Sequence, residues 1–335
     1  LLRLARFLLS FALINESTNE NFMKKINYPM NTLYGLEFRV CSLWFAVCAL
    51  MFSANEVEAQ REVQYSQYLV NPLSINPAVT GVRENFHFNA ILRRQVIPGV
   101  QSLPITQSFA MDGSVGNGKV GLGLQGLNDR VAFNTAVFGS ISYIFKISDY
   151  QKISIGALGG INVLPSRNII TTGGSINKAL ASAGVGIYYQ DETFFGGVSM
   201  PEVLKQQYGY NNTSGLLNYQ RPIFVQAGLK TELTEDIQLT PSILLTKPEN
   251  SKIRMDANAL LNYKTRFMVG ASIRFGTTTY WQGLLAYDFS KNIRIGYTYN
   301  SRRVEDFNGQ TTAISGVGKG IHEIVFTLQP NPRSE

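Results

Sequence analysis

From residue 85 to residue 328 the chain repeats one device: segments of about ten residues in which apolar and polar side chains alternate, each closed by turn residues. Successive side chains of a strand point to opposite faces, so every such segment has one apolar and one polar face. In 252–264 one face carries Ile253, Met255, Ala257, Ala259, Leu261 and Tyr263, and the other Lys252, Arg254, Asp256, Asn258, Leu260, Asn262 and Lys264. The segment 266–276 sets Phe267, Val269, Ala271, Ile273 and Phe275 against Arg266, Met268, Gly270, Ser272, Arg274 and Gly276. The same contrast holds in 292–301, where Ile293, Ile295, Tyr297 and Tyr299 oppose Arg294, Gly296, Thr298 and Asn300.

About fourteen segments of this kind follow one another, near 85–97, 105–113, 118–128, 132–148, 151–164, 181–190, 193–200, 222–233, 236–246, 252–264, 266–276, 279–290, 292–301 and 320–328. Short turns follow the even segments, while the longest loops, 165–178, 201–221 and 302–319, follow odd ones. Short turns at one end, long loops at the other and an even strand number describe an outer-membrane barrel. A bilayer offers no water to backbone groups, so strands that cross it must close on themselves. The expectation is an all-β, transmembrane antiparallel barrel spanning 84–328, in the outer membrane of a Gram-negative bacterium, with both barrel termini periplasmic. Aromatic pairs near segment ends (Tyr143 and Phe145, Tyr188 and Tyr189, Phe194 and Phe195, Tyr280 and Trp281, Tyr287 and Phe289) fit interfacial girdles. Glycines in 118–126 and 156–160 would relieve crowding in a curved wall.

Composition agrees. Only 16% of the 335 residues are charged, against roughly 25% in a soluble globular domain, which argues against an ordinary cytosolic enzyme. The longest apolar run, 40–52, is shorter than the roughly 18 residues a spanning helix needs. Arg39 precedes that run and Val57-Glu58-Ala59 follows it, so 30–59 reads as a removable signal peptide ending before Gln60. Residues 1–29 read as an over-extended reading frame. Cys41 and Cys48 lie within the signal, so the mature chain has no cysteine for thiol catalysis, thiolate zinc or iron–sulfur chemistry. The net charge of +7 is scattered singly and forms no nucleic-acid patch.

The catalytic inventory is empty. His87 and His322 have no third ligand at a metal spacing, no phosphate-binding loop or nucleophile elbow is present, and the Gly-x-Gly runs open no helix. No cofactor is expected. Lys230, Glu232, Arg254, Asp256, Arg274, Asp288 and Arg294 fall on the lumen-facing parity, where alternating signs favour pairing across strands over a charged path. Ahead of the strands, 60–83 contains Asn71-Pro72 and Asn76-Pro77-Ala78, two steps that favour turns. This lead-in is either a loose periplasmic tail or a segment folded into the lumen. The last residues, 329–335, form a polar tail.

Several motifs together resemble the PorP/SprF family of type IX secretion outer-membrane proteins. They are Gln64-Tyr65-Ser66-Gln67-Tyr68 with Asn76-Pro77-Ala78-Val79-Thr80-Gly81, then Arg93-Arg94-Gln95 and Pro104-Ile105-Thr106-Gln107-Ser108. Gly184-Val185-Gly186-Ile187-Tyr188-Tyr189, Phe194 to Ser199, Gln226-Ala227-Gly228, Leu239 to Ser242, Arg294 to Tyr299 and Gly320-Ile321-His322-Glu323-Ile324 follow in order. Val96 and Ile321 depart from the family pattern, as does the polar tail. The resemblance implies a non-enzymatic barrel of the type IX secretion and gliding machinery that assists secretion or surface attachment of adhesin-like substrates. Its implied partners are machinery proteins, C-terminal signal domains of substrates and outer-membrane lipid, with no nucleic acid. Gln67, Tyr68, Asn76, Pro77, Ala78, Gly81, Arg93, Pro104, His322 and Glu323 become candidate partner-interaction residues, with backbone turn geometry as the competing account for Asn76, Pro77 and Gly81. Read from strand number alone, the alternative is a passive or hydrophobic-solute channel.

Overall fold

The computed structural model describes residues 68–95, 105–129, 134–167, 175–204, 207–208, 217–218, 221–249, 253–264, 266–276, 279–301 and 320–329. The expected signal peptide, the residues before it, Gln67, Pro104 and residues 330–335 of the polar tail lie outside them. Two short 3-10 turns, Pro72–Ser74 and Pro77–Val79, precede the strands. The strands are β1 (His87–Gln95), β2 (Ile105–Val115), β3 (Val120–Asp129), β4 (Asn134–Lys146), β5 (Lys152–Arg167), β6 (Ser175–Gln190), β7 (Phe194–Met200), β8 (Gln207–Tyr208), β9 (Leu217–Asn218), β10 (Ile223–Leu229), β11 (Thr231–Thr234), β12 (Ile237–Lys247), β13 (Arg254–Tyr263), β14 (Phe267–Phe275), β15 (Tyr280–Asp288), β16 (Ile293–Asn300) and β17 (Ile321–Leu328).

Neighbouring strands pair antiparallel along the chain. β1 pairs with β17, and β10 with both β7 and β12, so the sheet closes on itself. Strands β8 and β9 form a separate two-stranded ribbon within the longest loop. The segment predicted at 222–233 is two pieces of one wall strand, β10 and β11, broken at Lys230, whose N–H donates to Thr193 O at 2.7 Å. Counted this way the wall is a closed antiparallel barrel of 14 strands. Among the described residues no helix is long and apolar enough to cross a membrane; the crossing elements are strands.

The alternation maps onto the barrel inside out. On β14, Phe267, Val269, Ile273 and Phe275 are exposed outward, while Ser272 and Arg274 are buried inward. On β4, Ile141 is 53% exposed and its neighbour Ser142 is 2% exposed. Apolar side chains on the outside and polar ones within are what lipid outside and a polar lumen require. The six short connections, 116–119, 147–151, 191–193, 235–236, 264–266 and 289–292, lie at one end, together with the start of β1 and the end of β17.

Two sequence expectations change in detail. β5 and β6 run on through Arg167 and Ser175 into the predicted loop 165–178, because the hairpin keeps its register to the pair Arg167↔Ser175. Three girdle aromatics point inward instead. Tyr188 packs on Phe195 inside the barrel (ring centroids 6.4 Å apart), and Tyr280 contacts Arg274, whereas Tyr189, Phe194 and Trp281 face out. Adjacent residues on a strand cannot share a face.

Candidate functional site

Residues 68–84 run inside the barrel, from Tyr68 beside Phe224 and Leu244 to Glu84 at the short-turn rim. Their conformation follows from local chemistry. Asn76 Oδ1 accepts from Ala78 N at 2.9 Å, capping the turn that Pro77 opens with its fixed φ and missing N–H. Ser74 Oγ donates to Asn71 O at 2.7 Å and closes the preceding turn. Such a path leaves backbone carbonyls without partners inside a barrel, where each would cost about 1–3 kcal/mol if unsatisfied.

Short polar side chains of the wall supply those partners. Asn89 of β1 donates to Val70 O (3.0 Å), Gln125 of β3 to Leu73 O (3.2 Å) and Ser199 of β7 to Ile75 O (2.7 Å). Ser154 of β5 donates to Ala78 O and Ser142 of β4 to Thr80 O, both at 2.6 Å. In the other direction, Asn76 Nδ2 donates to Ile187 O of β6 (3.2 Å), Gly81 N to Asp112 Oδ2 of β2 (2.8 Å) and the Tyr68 hydroxyl to Asn258 Oδ1 of β13 (2.9 Å). The segment is thus bonded to β1, β2, β3, β4, β5, β6, β7 and β13. Apolar contacts add to this: Tyr68 and Ile75 pack with Phe224 and Leu244, and Ala78, Val79 and Val82 with Ile144 and Tyr188.

Glycines make the room. A Cβ on Gly156 would fall on the Pro77–Ala78 peptide, on Gly121 on the carbonyl of Thr80, and on Gly186 on the Asn76 side chain. Gly197 would meet Asn76 Nδ2 at 2.8 Å and Gly123 the Thr80 methyl at 3.0 Å. Gly81 itself has φ +69°, and a Cβ there would come within 2.5 Å of Gly121 Cα. These wall glycines serve close backbone approach to an interior segment, a more specific task than relieving curvature. At the short-turn rim Glu84 Oε1 accepts from Lys152 Nζ at 2.6 Å and from Lys146 Nζ at 3.0 Å, and these lysines hold its carboxyl below the ordinary carboxylate range, Lys152 foremost.

The residues singled out from sequence sort clearly. Tyr68, Asn76, Pro77, Ala78 and Gly81 are all buried in the lumen segment and make their contacts within this chain. Arg93 and Glu323 face each other inside the β1–β17 seam (Nη1–Oε1 3.7 Å), with Glu323 also accepting from Thr298 Oγ1 at 2.6 Å. His322 sits on the opposite, outer face.

Among the lumen candidates, Asp256 and Arg274 form a buried bidentate pair (2.6 and 2.6 Å), and Asp288 and Arg294 a second, half-buried one (2.6 and 2.8 Å). Removing one partner of a pair as buried as the first strands a charge at a cost of about 3–5 kcal/mol. Arg254 and Lys230 are half-buried, and Glu232 is exposed at the rim opposite Gln238. The donors Asn89, Gln125, Ser142, Ser154 and Ser199 were not singled out; their signal was small polar residues and glycines sharing one parity. Among the described residues no group of three or more His, Cys, Asp and Glu side chains is placed to hold a metal ion.

Comparison with known proteins adds the family. The model described as "Type IX secretion system membrane protein PorP/SprF" matches residues 57–328. No curated protein matches the chain. Among solved structures it is similar to the P. putida toluene transporter TodX (TM-score 0.46, 9% identity, 76% of this chain and 92% of that one). It is also similar to Omp33 of Acinetobacter baumannii (TM-score 0.44, 8% identity, 73% and 99%) and to a Pseudomonas aeruginosa FadL homologue (0.39, 10%, 76% and 91%). At these values the barrel rests on its own strand pairing, and nothing about cargo is taken from them. The family match extends from ahead of the lumen segment to the last strand, and on that ground this chain belongs to the PorP/SprF family of type IX secretion system membrane proteins.

Proposed function

We propose that this barrel is a non-enzymatic component of the type IX machinery that sits in the outer membrane with its short turns and both barrel termini toward the periplasm. It assists secretion or surface attachment of particular adhesin-like substrates by engaging machinery proteins and the substrates' C-terminal signal domains, and is not a conduit for them. The observation that carries this reading is the lumen segment: through its backbone and the side chains of Tyr68 and Asn76 it is hydrogen-bonded to eight wall strands, from Asn89 of β1 to Asn258 of β13. A segment that fills the lumen in this way leaves less room for an open passage and favours a role exercised through partners. Short turns on the periplasmic side are the rule in such barrels.

Deleting the gene in its native host and quantifying surface and medium proteomes, with outer-membrane content as control, tests the reading. Loss of one or a few large proteins with type IX signals, the rest persisting, is the expected result. An unchanged secretome with altered uptake of small solutes would overturn it in favour of the channel.

A further inference from the structure

The outer face of the barrel seam, at its long-loop end, departs from the apolar pattern around it. Leu92 and Ile324 are half exposed to lipid on β1 and β17, but one step nearer the long-loop end the same face carries Arg94 and His322, paired directly across the two strands. Arg94 is exposed. His322 is held from the β16 side, where Tyr299 is its register partner with the rings at 5.2 Å and an interplanar angle of 63°, and Tyr297 lies 6.0 Å away. Trp281 of β15 extends the row, 5.2 Å from the Tyr299 ring.

The Tyr297 hydroxyl is hydrogen-bonded to His322 Nδ1. With the phenol donating to Nδ1, the neutral ring carries its proton on Nε2, and the protonated ring carries one there as well. In both of these states Nε2 presents an N–H, on a ring in contact with two tyrosines, beside an exposed Arg94. One fixed N–H and one guanidinium fork, set in a rim of Tyr and Trp, match an oxyanion attached to an apolar chain. Among the described residues of this part of the outer face nothing acidic competes: the register neighbours of Arg94 and His322 are Ile105 and Tyr299.

We propose that Arg94 and His322, framed by Tyr297, Tyr299 and Trp281, bind the phosphate of a membrane lipid at the barrel seam. With the long loops at the cell surface, the orientation on which this assignment of source rests, the lipid is the lipid A of the outer leaflet. The site would pin the β1–β17 seam at a defined depth and give the barrel a preferred lipid neighbour.

Native mass spectrometry of the detergent-purified mature protein tests this with three added lipids: diphosphorylated lipid A, the same lipid A without phosphates, and phosphatidylglycerol. The variants are Arg94→Gln, His322→Gln and, as a control on the opposite rim, Tyr143→Leu, each first checked for barrel closure by heat-modifiable gel mobility. Retention of phosphorylated lipid A by the unsubstituted protein and by Tyr143→Leu, falling about tenfold in each seam variant, with little retention of the phosphate-free form, is expected. Equal retention by all four proteins, or equal retention of the phosphate-free form, would overturn the site. Seam-dependent retention of phosphatidylglycerol with none of lipid A would support the phosphate site and overturn the outward orientation of the long loops.

Discussion

Gly156 shows how closely the interior segment approaches the wall. A methyl group there meets the Pro77–Ala78 peptide, which is backbone and cannot rotate away, whereas Gly139 on the neighbouring strand faces outward with nothing within 4 Å of an added Cβ. Gly156→Ala should therefore destabilise the folded barrel by about 1–3 kcal/mol, the range for overpacking a filled interior, and Gly139→Ala should leave it unchanged. Comparing the two variants' unfolding midpoints in lipid or detergent checks this. At this scale the sequence was informative about direction and silent about partner. Asp256 and Arg274 could be placed on one face with opposite signs, but that they meet follows only from the register Asp256↔Arg274. Likewise Asn76-Pro77 announced a turn, and nothing in the two residues says that the turn meets Ile187 O.

Between elements, the lumen segment is fastened at its far end by Glu84, which draws Lys146 at the end of β4 and Lys152 at the start of β5 onto one carboxylate. The carboxyl lies outside the strands and its pKa is lowered, by the Lys152 hydrogen bond first. A depressed carboxylate contributes stability that is full above its unfolded value and is lost as the pH falls through the lowered one. Hydrogen exchange of the amides of residues 78–84 should therefore speed up as the pH is taken down through the carboxylate range, after correction for intrinsic rates, and Glu84→Gln should abolish that dependence. The pair is partly exposed, so the effect amounts to no more than about 1 kcal/mol. A pH response equal in Glu84→Gln would assign it to another group.

The strands themselves were legible because lipid outside and polar groups inside impose period two on every segment; the boundaries of twelve of the fourteen wall strands lie close to the alternation, and the two strands of the extended β5–β6 hairpin depart because register, not hydropathy, ends it. What the polar face meets was not legible. Serine and glycine on the inner parity suit a water-filled lumen and a lumen filled by backbone equally well, and only the crowding of Gly121, Gly123, Gly156, Gly186 and Gly197 on that parity pointed to close approach.

For the whole molecule the central claim is that the interior segment is a fixed strut and that the barrel works through partners around it. Residues 60–335 contain no cysteine, and Thr80 Oγ1 lies 3.0 Å from Ser140 Oγ of β4, so Thr80→Cys with Ser140→Cys places two thiols to bridge the segment to the wall. Once oxidation of the bridge is verified by gel mobility, secretion of the proteins that depend on this gene is measured with and without reductant. The account predicts the same secretion from the locked barrel as from the unsubstituted one. Secretion lost in the locked protein and restored by reductant, with the single substitutions active, would show that the segment must move and would contradict it.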